Sequence, residues 1–169
     1  LYAKWDIIPV AYTVEHYQEK LGSTGYDLVK KETLYGAQGE FTQAKAMIYE
    51  GFTNTKINQK KIDGVEDVVI KIFYYRNTYT ITFKNGEEII STKEYLYGEE
   101  IEIPSNIPIK EESKEATYTF SGWDKEITTA KEDVVYNAVF DSNLKMYQLN
   151  IVNDENCGTY TKLDAKEYA

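Results

Sequence analysis

The chain has 169 residues and a formal charge of −9, a balance that argues against nucleic acid, whose binding rests on Lys and Arg neutralising phosphates, and against an anionic membrane surface. Hydrophobic residues make up 42% of it and tyrosine occurs 16 times against two methionines, so the chain reads as globular and β-inclined rather than disordered. No apolar run approaches the roughly 20 residues that span a bilayer, and the single cysteine, Cys157, excludes both a disulfide framework and a thiolate metal site.

Taken in order, Leu1–Trp5 (LYAKW) reads as the closing strand of a preceding unit and Asp6–Ala11 as a linker in which Pro9 stops the ladder. Tyr12–Tyr17 alternates Tyr12, Val14 and His16 on one face with Thr13, Glu15 and Tyr17 on the other. Gly22–Gly25 is a turn and Tyr26–Leu34 the returning strand. Within Phe41–Tyr49, Ala44, Met47 and Ile48 stand at i, i+3 and i+4 with Thr42 able to cap, which predicts a short helix ended by Glu50-Gly51. Lys56–Glu66 is polar, and Val65–Tyr75 is the apolar closing strand. The order hairpin, helix, loop, strand suits a sheet over one helix, with first and last strands paired in parallel at its centre.

The pattern then repeats. Tyr79–Phe83 opens a new unit, Asn85-Gly86 is a strong hairpin signal, Glu88–Thr92 returns, and Glu99–Ile103 alternates up to Pro104. Ser105–Ala116 is a polar, acidic loop, Tyr118–Trp123 a strand into a turn, Val134–Phe140 the closing strand, and Leu144–Ile151 the start of a third unit. Tyr12, Tyr79 and Tyr147 open the three copies at intervals of 67 and 68 residues, a period at domain scale that marks a modular array. The sequence starts at Leu1 and reads as an excerpt: 1–10 closes one repeat, 11–76 and 77–143 are complete modules, and 144–169 begins another. The fold class expected is α+β and β-rich: tandem small β-grasp (ubiquitin-like) modules, each a mixed sheet with at most one short helix.

Each constellation that invites chemistry has a plainer reading. Cys157 is an ordinary thiol, since His16, the sole histidine, sits in another module. His16 shares a face with Tyr12 and Val14 and reads as a packed side chain. Glu99, Glu100, Glu102, Glu111, Glu112 and Glu115 lack the spaced Asp/Asn positions and central glycine of a calcium loop. They read instead as a solvated acidic face that keeps sheet edges apart. Their mutual repulsion likewise disfavours a glycosidase pair, and Gly36–Gly39 is a turn rather than a phosphate loop. No catalytic residue, metal or cofactor is expected. Tyrosines are the better candidates, because aromatic surfaces concentrate binding energy. Tyr17, Tyr26, Tyr95 and Tyr97 are the candidate ligand contacts, set against the cross-strand packing that most strand tyrosines perform. Arg76 and Asn77 are the expected inter-module hinge.

The second module, with YTITF, Tyr97-Gly98 before Pro104, YTFSGW and VVYNAVF, resembles the Listeria–Bacteroides (internalin-type B) repeat of bacterial surface proteins, as does LYAKW at the start. The first, with YTVEHYQ, GYDLV, YGAQGE, YEGFT and a closing Tyr74-Tyr75, is similar to mucin-binding-protein-like repeats. The resemblance covers about residues 1–143. It implies secreted β-grasp-like modules strung along wall-anchored proteins of mainly Gram-positive bacteria. A non-enzymatic, semi-rigid stalk of a cell-surface protein is therefore expected, partnered by neighbouring repeats. The alternative is an adhesin module binding host protein or glycan through a tyrosine-rich face. Surface modules of this general kind also carry lysine–asparagine isopeptide crosslinks, for which Lys84 and Asn137 are placed on a first and a last strand, although Lys84 is near a hairpin tip.

Overall fold

The computed structural model describes residues 9–64 and 67–147. They form eight strands: β1 (Pro9–Glu19), β2 (Tyr26–Ala37), β3 (Phe52–Asn54), β4 (Val69–Arg76), β5 (Thr78–Asn85), β6 (Glu88–Leu96), β7 (Ala116–Trp123) and β8 (Val134–Leu144). These make two four-stranded mixed sheets of identical connectivity, β2-β1-β4-β3 and β6-β5-β8-β7. In each unit the first strand forms an antiparallel hairpin with the second and a parallel pair with the last, and the third strand lies antiparallel outside the last. The chain is thus two small β units in tandem.

Alternation in β1 and β4 puts Tyr12, Val14 and His16 beside Ile70, Ile72 and Tyr74 on the inner face of the first sheet, all buried. Ala44 and Ile62 arrive from the irregular chain between β2 and β4 and complete the core. The second core repeats the plan: Ile81 and Phe83 of β5, Tyr95 of β6 and Tyr136 of β8, with Ile101 and Ala130 from the crossover. Trp123 meets Phe83 edge-to-face at a centroid distance of 4.7 Å, so it lies against the core.

Several expectations are corrected. There is no helix among the described residues, so the architecture they show is all-strand rather than α+β. The segment expected to be helical gives its amides elsewhere: Thr42 N–H to the Lys60 carbonyl, Gln43 to the Tyr12 hydroxyl, Ala44 to Gln59 Oε1 and Met47 to the Tyr74 hydroxyl, at 2.8–3.1 Å. Thr42, Gln43 and Ala44 would be first-turn amides without an i−4 partner in any case; Met47 N–H, which a helix would bond to the Gln43 carbonyl, is given to Tyr74 instead. Ala44 is buried while Ile48 is wholly exposed, so the predicted apolar face does not exist either. Pro9 begins β1, opposite Ala37, rather than ending a ladder; the first residue of a strand tolerates the missing donor.

The second hairpin closes through Gly86-Glu87, with Asn85 still paired to Glu88. Gly86 takes the positive φ of 61° that the first loop position requires. Glu99–Ile103 is no strand and pairs only through a bridge from Glu100 to Thr129. β8 runs on to Leu144; of the predicted opening strand Leu144–Ile151, residues 148–151 lie outside the described residues, as do Leu1–Trp5 and Cys157.

Ile62 is fully buried although it belongs to no strand. Its carbonyl accepts from Gly39 N–H and its own N–H donates to Glu40, which holds the irregular cover onto the sheet. Ile62→Ala should remove about 2–5 kcal/mol from the first unit through lost burial and a residual cavity. In urea titrations the far-UV transition should then gain an earlier phase, while fluorescence of Trp123, read in a Trp5→Phe background because the chain has two tryptophans, keeps its midpoint.

Candidate functional site

Asn77 alone separates β4 from β5, and the residues around it tie the two units to each other. Asn77 N–H donates to the Gly51 carbonyl of the first unit at 2.8 Å, and its carbonyl accepts from Tyr97 N–H of the second at 2.8 Å. Thr53 Oγ1 donates to Asn77 Oδ1 at 2.7 Å. Arg76 is held still more fully. Its N–H donates to Glu19 Oε2 at 2.8 Å, its Nε–H to the Glu19 carbonyl at 3.2 Å and its Nη1–H to the Tyr97 carbonyl at 2.8 Å. The guanidinium lies 4.9 Å from the centroid of Phe52, a cation–π distance.

Tyr97 stands edge-on to Phe52 of the first unit at 5.9 Å and to Tyr79 of its own unit at 6.4 Å. Beneath it lies Gly51, whose φ of 75° falls in the left-handed region and whose missing Cβ would overlap the Tyr97 ring. The ring of one unit therefore occupies a notch that glycine leaves in the other. The pair expected as a hinge, Arg76 and Asn77, occupies a joint in which each residue bonds to both units.

The four candidate tyrosines fall in three different environments. Tyr97 is the joint residue just described. Tyr95 is 3% exposed in the second core; its hydroxyl accepts from Glu102 N–H and no ring face is open to a ligand. Tyr17 and Tyr26 come together on the outer face of the first sheet around a residue the sequence reading passed over, Phe73. Tyr17 stacks on Phe73 at 5.2 Å and 23°, and Tyr26 meets it edge-on at 4.9 Å. Leu28, the register partner of Tyr17, extends this surface and is half exposed. Tyr17 O–H donates to Glu15 Oε2 at 2.8 Å and Lys31 Nζ approaches Glu15 Oε1 at 3.5 Å. The Tyr17 hydroxyl, with the Lys31 charge adding to it, holds the Glu15 carboxyl below its ordinary value. The same bond pushes the Tyr17 hydroxyl up.

The remaining constellations resolve into local bonding. His16 is fully buried, with Nδ1 2.8 Å from the Tyr74 hydroxyl and Nε2 3.3 Å from Glu32. The Tyr74 hydroxyl also accepts from Met47 N–H, so it lies between that amide and the imidazole. Burial pushes the Tyr74 hydroxyl up. Lys84 and Asn137 are register partners across β5 and β8, but Asn137 gives both its backbone N–H and its side-chain amide to Asp124, at 2.8 and 2.7 Å, on an exposed face. Those two bonds hold Asp124 below its ordinary carboxylate value.

Glu99 accepts from Leu96 N–H within its own turn. Glu102 pairs with Lys93 and Glu112 with Lys145. Among the described residues no three His, Cys, Asp or Glu side chains converge, and no helix is long and apolar enough to cross a membrane.

A side chain at Gly51 must displace the Tyr97 ring and adopt a strained backbone. Gly51→Val should therefore open the joint while leaving both cores folded. Amide chemical-shift changes should cluster at residues 51–53, 76–78 and 97–98, with core methyl signals unmoved; shifts spread through either core would show that Gly51 supports the unit rather than the joint.

Neither a protein-family model nor a curated protein matches the sequence, so membership of the Listeria–Bacteroides or mucin-binding-protein-like repeat families is not shown. Among solved structures, the chain is similar to Streptococcal High Identity Repeats in Tandem (SHIRT) domains 3-4 from a cell surface protein, at 15% identity and a TM-score of 0.30, over 79% of this chain and 99% of that one.

Proposed function

We propose that this chain is a non-enzymatic extracellular repeat region acting as a semi-rigid spacer of a bacterial cell-surface protein, wall-anchored through other parts of its parent. In this reading residues 11–76 and 77–143 are repeat modules, 1–10 closes a preceding repeat and 144–169 opens the next, and the partners are the neighbouring repeats themselves. The observation that carries it is the direction of the chain through each unit. Because first and last strands are parallel neighbours, the chain comes in at one end of the sheet and leaves at the other, so units strung together extend rather than fold back. The one-residue connection at Asn77, bonded to both sides, limits bending between them, the behaviour of a stiff spacer rather than a coil.

Inserting several glycines and serines after Arg76 should broaden the interdomain distance distribution in small-angle scattering. An unchanged profile would mean that the joint was loose from the outset and would remove this reading.

The cluster of Tyr17, Tyr26 and Phe73 favours a second reading, an adhesive module that takes a host protein or glycan on the outer face of the first sheet. The second unit has the same topology but places Thr80, Thr82 and Thr92 on that side, so the fold itself does not demand the aromatics. The double variant Tyr17→Ala, Tyr26→Ala should then abolish saturable binding on a glycan array or to immobilised host extracellular proteins. If the unaltered chain shows no such binding, the adhesive reading falls.

A further inference from the structure

We propose that the parallel strand pair at the centre of each unit is a tensile clamp, so that this region carries load along its length as well as setting distance. Tension applied through the chain pulls the start of β1 backwards and the end of β4 forwards. These strands are neighbours running the same way, Thr13–Gln18 beside Val69–Tyr74, so the pull slides one along the other. The ladder bonds of a parallel pair are evenly spaced along the strands, and sliding loads them together. A force that peeled a hairpin from its open end would instead break them singly. Breaking the pair therefore requires several bonds to fail at once.

The side chains reinforce the same direction. Val14 and His16 on β1 pack with Ile70, Ile72 and Tyr74 on β4 in a buried core, so the inner side of the ladder is shielded from solvent. His16 is bonded directly to Tyr74 at 2.8 Å, Thr13 N–H reaches the Val68 carbonyl at 2.9 Å, and Glu19 at the end of β1 holds Arg76 at the end of β4. Load leaving β4 passes through Asn77 directly into β5, the sheared strand of the next unit.

The two clamps differ in strength. In the second unit the parallel run is shorter, Ile81–Lys84 beside Val134–Asn137. Phe83 stands in the place of His16 and stacks on Tyr136 at 5.1 Å without a polar bond. The added tie from Thr80 N–H to Asp133 Oδ1 is exposed. The second unit yields first.

The test is single-molecule pulling of the full chain with handles at its two ends and Cys157→Ser to leave no competing thiol. Two unfolding events are expected, the first with the contour gain of Thr78–Leu144 and the second, at higher force, with that of Pro9–Arg76. A second geometry supplies the control. Pro9 and Ala37 are register partners at one end of the hairpin, so a handle at Glu40→Cys, pulled against the amino-terminal handle, peels β1 from β2 bond by bond. The first unit should then yield at a force lower by about twofold or more, because the bonds are no longer loaded together. Equal forces in the two geometries, or release of the first unit before the second, would overturn the clamp. The proposal stands apart from the spacer reading: a chain loose in scattering that still gives both events removes the spacer and keeps the clamp, and a stiff chain without them does the reverse.

Discussion

The parallel pairing of first and last strands constrains everything else in this molecule. A parallel partner cannot be reached by a tight turn, so the chain must cross from one end of the sheet to the other before the last strand begins. In the first unit that crossover is residues 38–68, and it doubles as the lid of the core through Ala44 and Ile62. In the second it is residues 97–133, which supplies Ile101 and Ala130 and the outer strand β7. The same pairing places the two ends of each unit on opposite sides of the sheet. A long connection, a core roofed by irregular chain and an extended tandem geometry all follow from one hydrogen-bonding choice.

The joint shows how little sequence such an arrangement needs. Four features hold it: a glycine that leaves room, a tyrosine that uses the room, an arginine that reaches both backbones and an asparagine whose main chain bonds to each side. Gly51 and Tyr97 are 46 residues apart, and neither is informative alone. Tyr97-Gly98 reads locally as the end of a strand, which it is, and Gly51 reads as the end of a helix that does not form. The positive φ of Gly51 is the element a local reading detects; the ring seated over it belongs to the tertiary structure.

What was legible in the sequence follows the same division. The alternation of Tyr12, Val14 and His16, the two hairpins, the closing strands and the parallel centre all arise from period-two burial and turn chemistry, which neighbours along the chain reveal. The short helix gave way to bonds with Tyr12, Gln59 and Tyr74, partners far away in sequence. Tyr95 and Tyr97 looked alike as exposed aromatics, yet one is a core side chain at the end of β6 and the other lies just past that strand, where the chain turns toward the first unit. Tyr17 and Tyr26 gain a shared surface only through Phe73, two strands from Tyr26 in the sheet order.

Comparing the units with each other separates what the fold requires from what each copy adds. At the equivalent inner position the first unit has His16 stacked on Tyr74 at 5.8 Å and the second has Phe83 on Tyr136. Either ring fills the space, so hydrophobic packing alone does not call for histidine. The histidine completes a hydrogen-bonded chain of Met47 N–H, the Tyr74 hydroxyl, the imidazole and Glu32, which fixes the irregular cover against the sheet. Such a chain is costly unless every member is satisfied, and here each described member has its partner. The first unit therefore holds its 38–68 crossover by polar bonds from Tyr12, Gln59 and Tyr74 as well as by apolar contact. Among the described residues the second has no such relay through a histidine: its Tyr95 hydroxyl accepts from Glu102 N–H, backbone bonds among Gly98, Glu99 and Ala130 tie the two ends of the crossover to each other, and Trp123 packs on Phe83. The same connectivity can thus be secured by different chemistry, because it specifies where the cover must lie and leaves open which bonds keep it there.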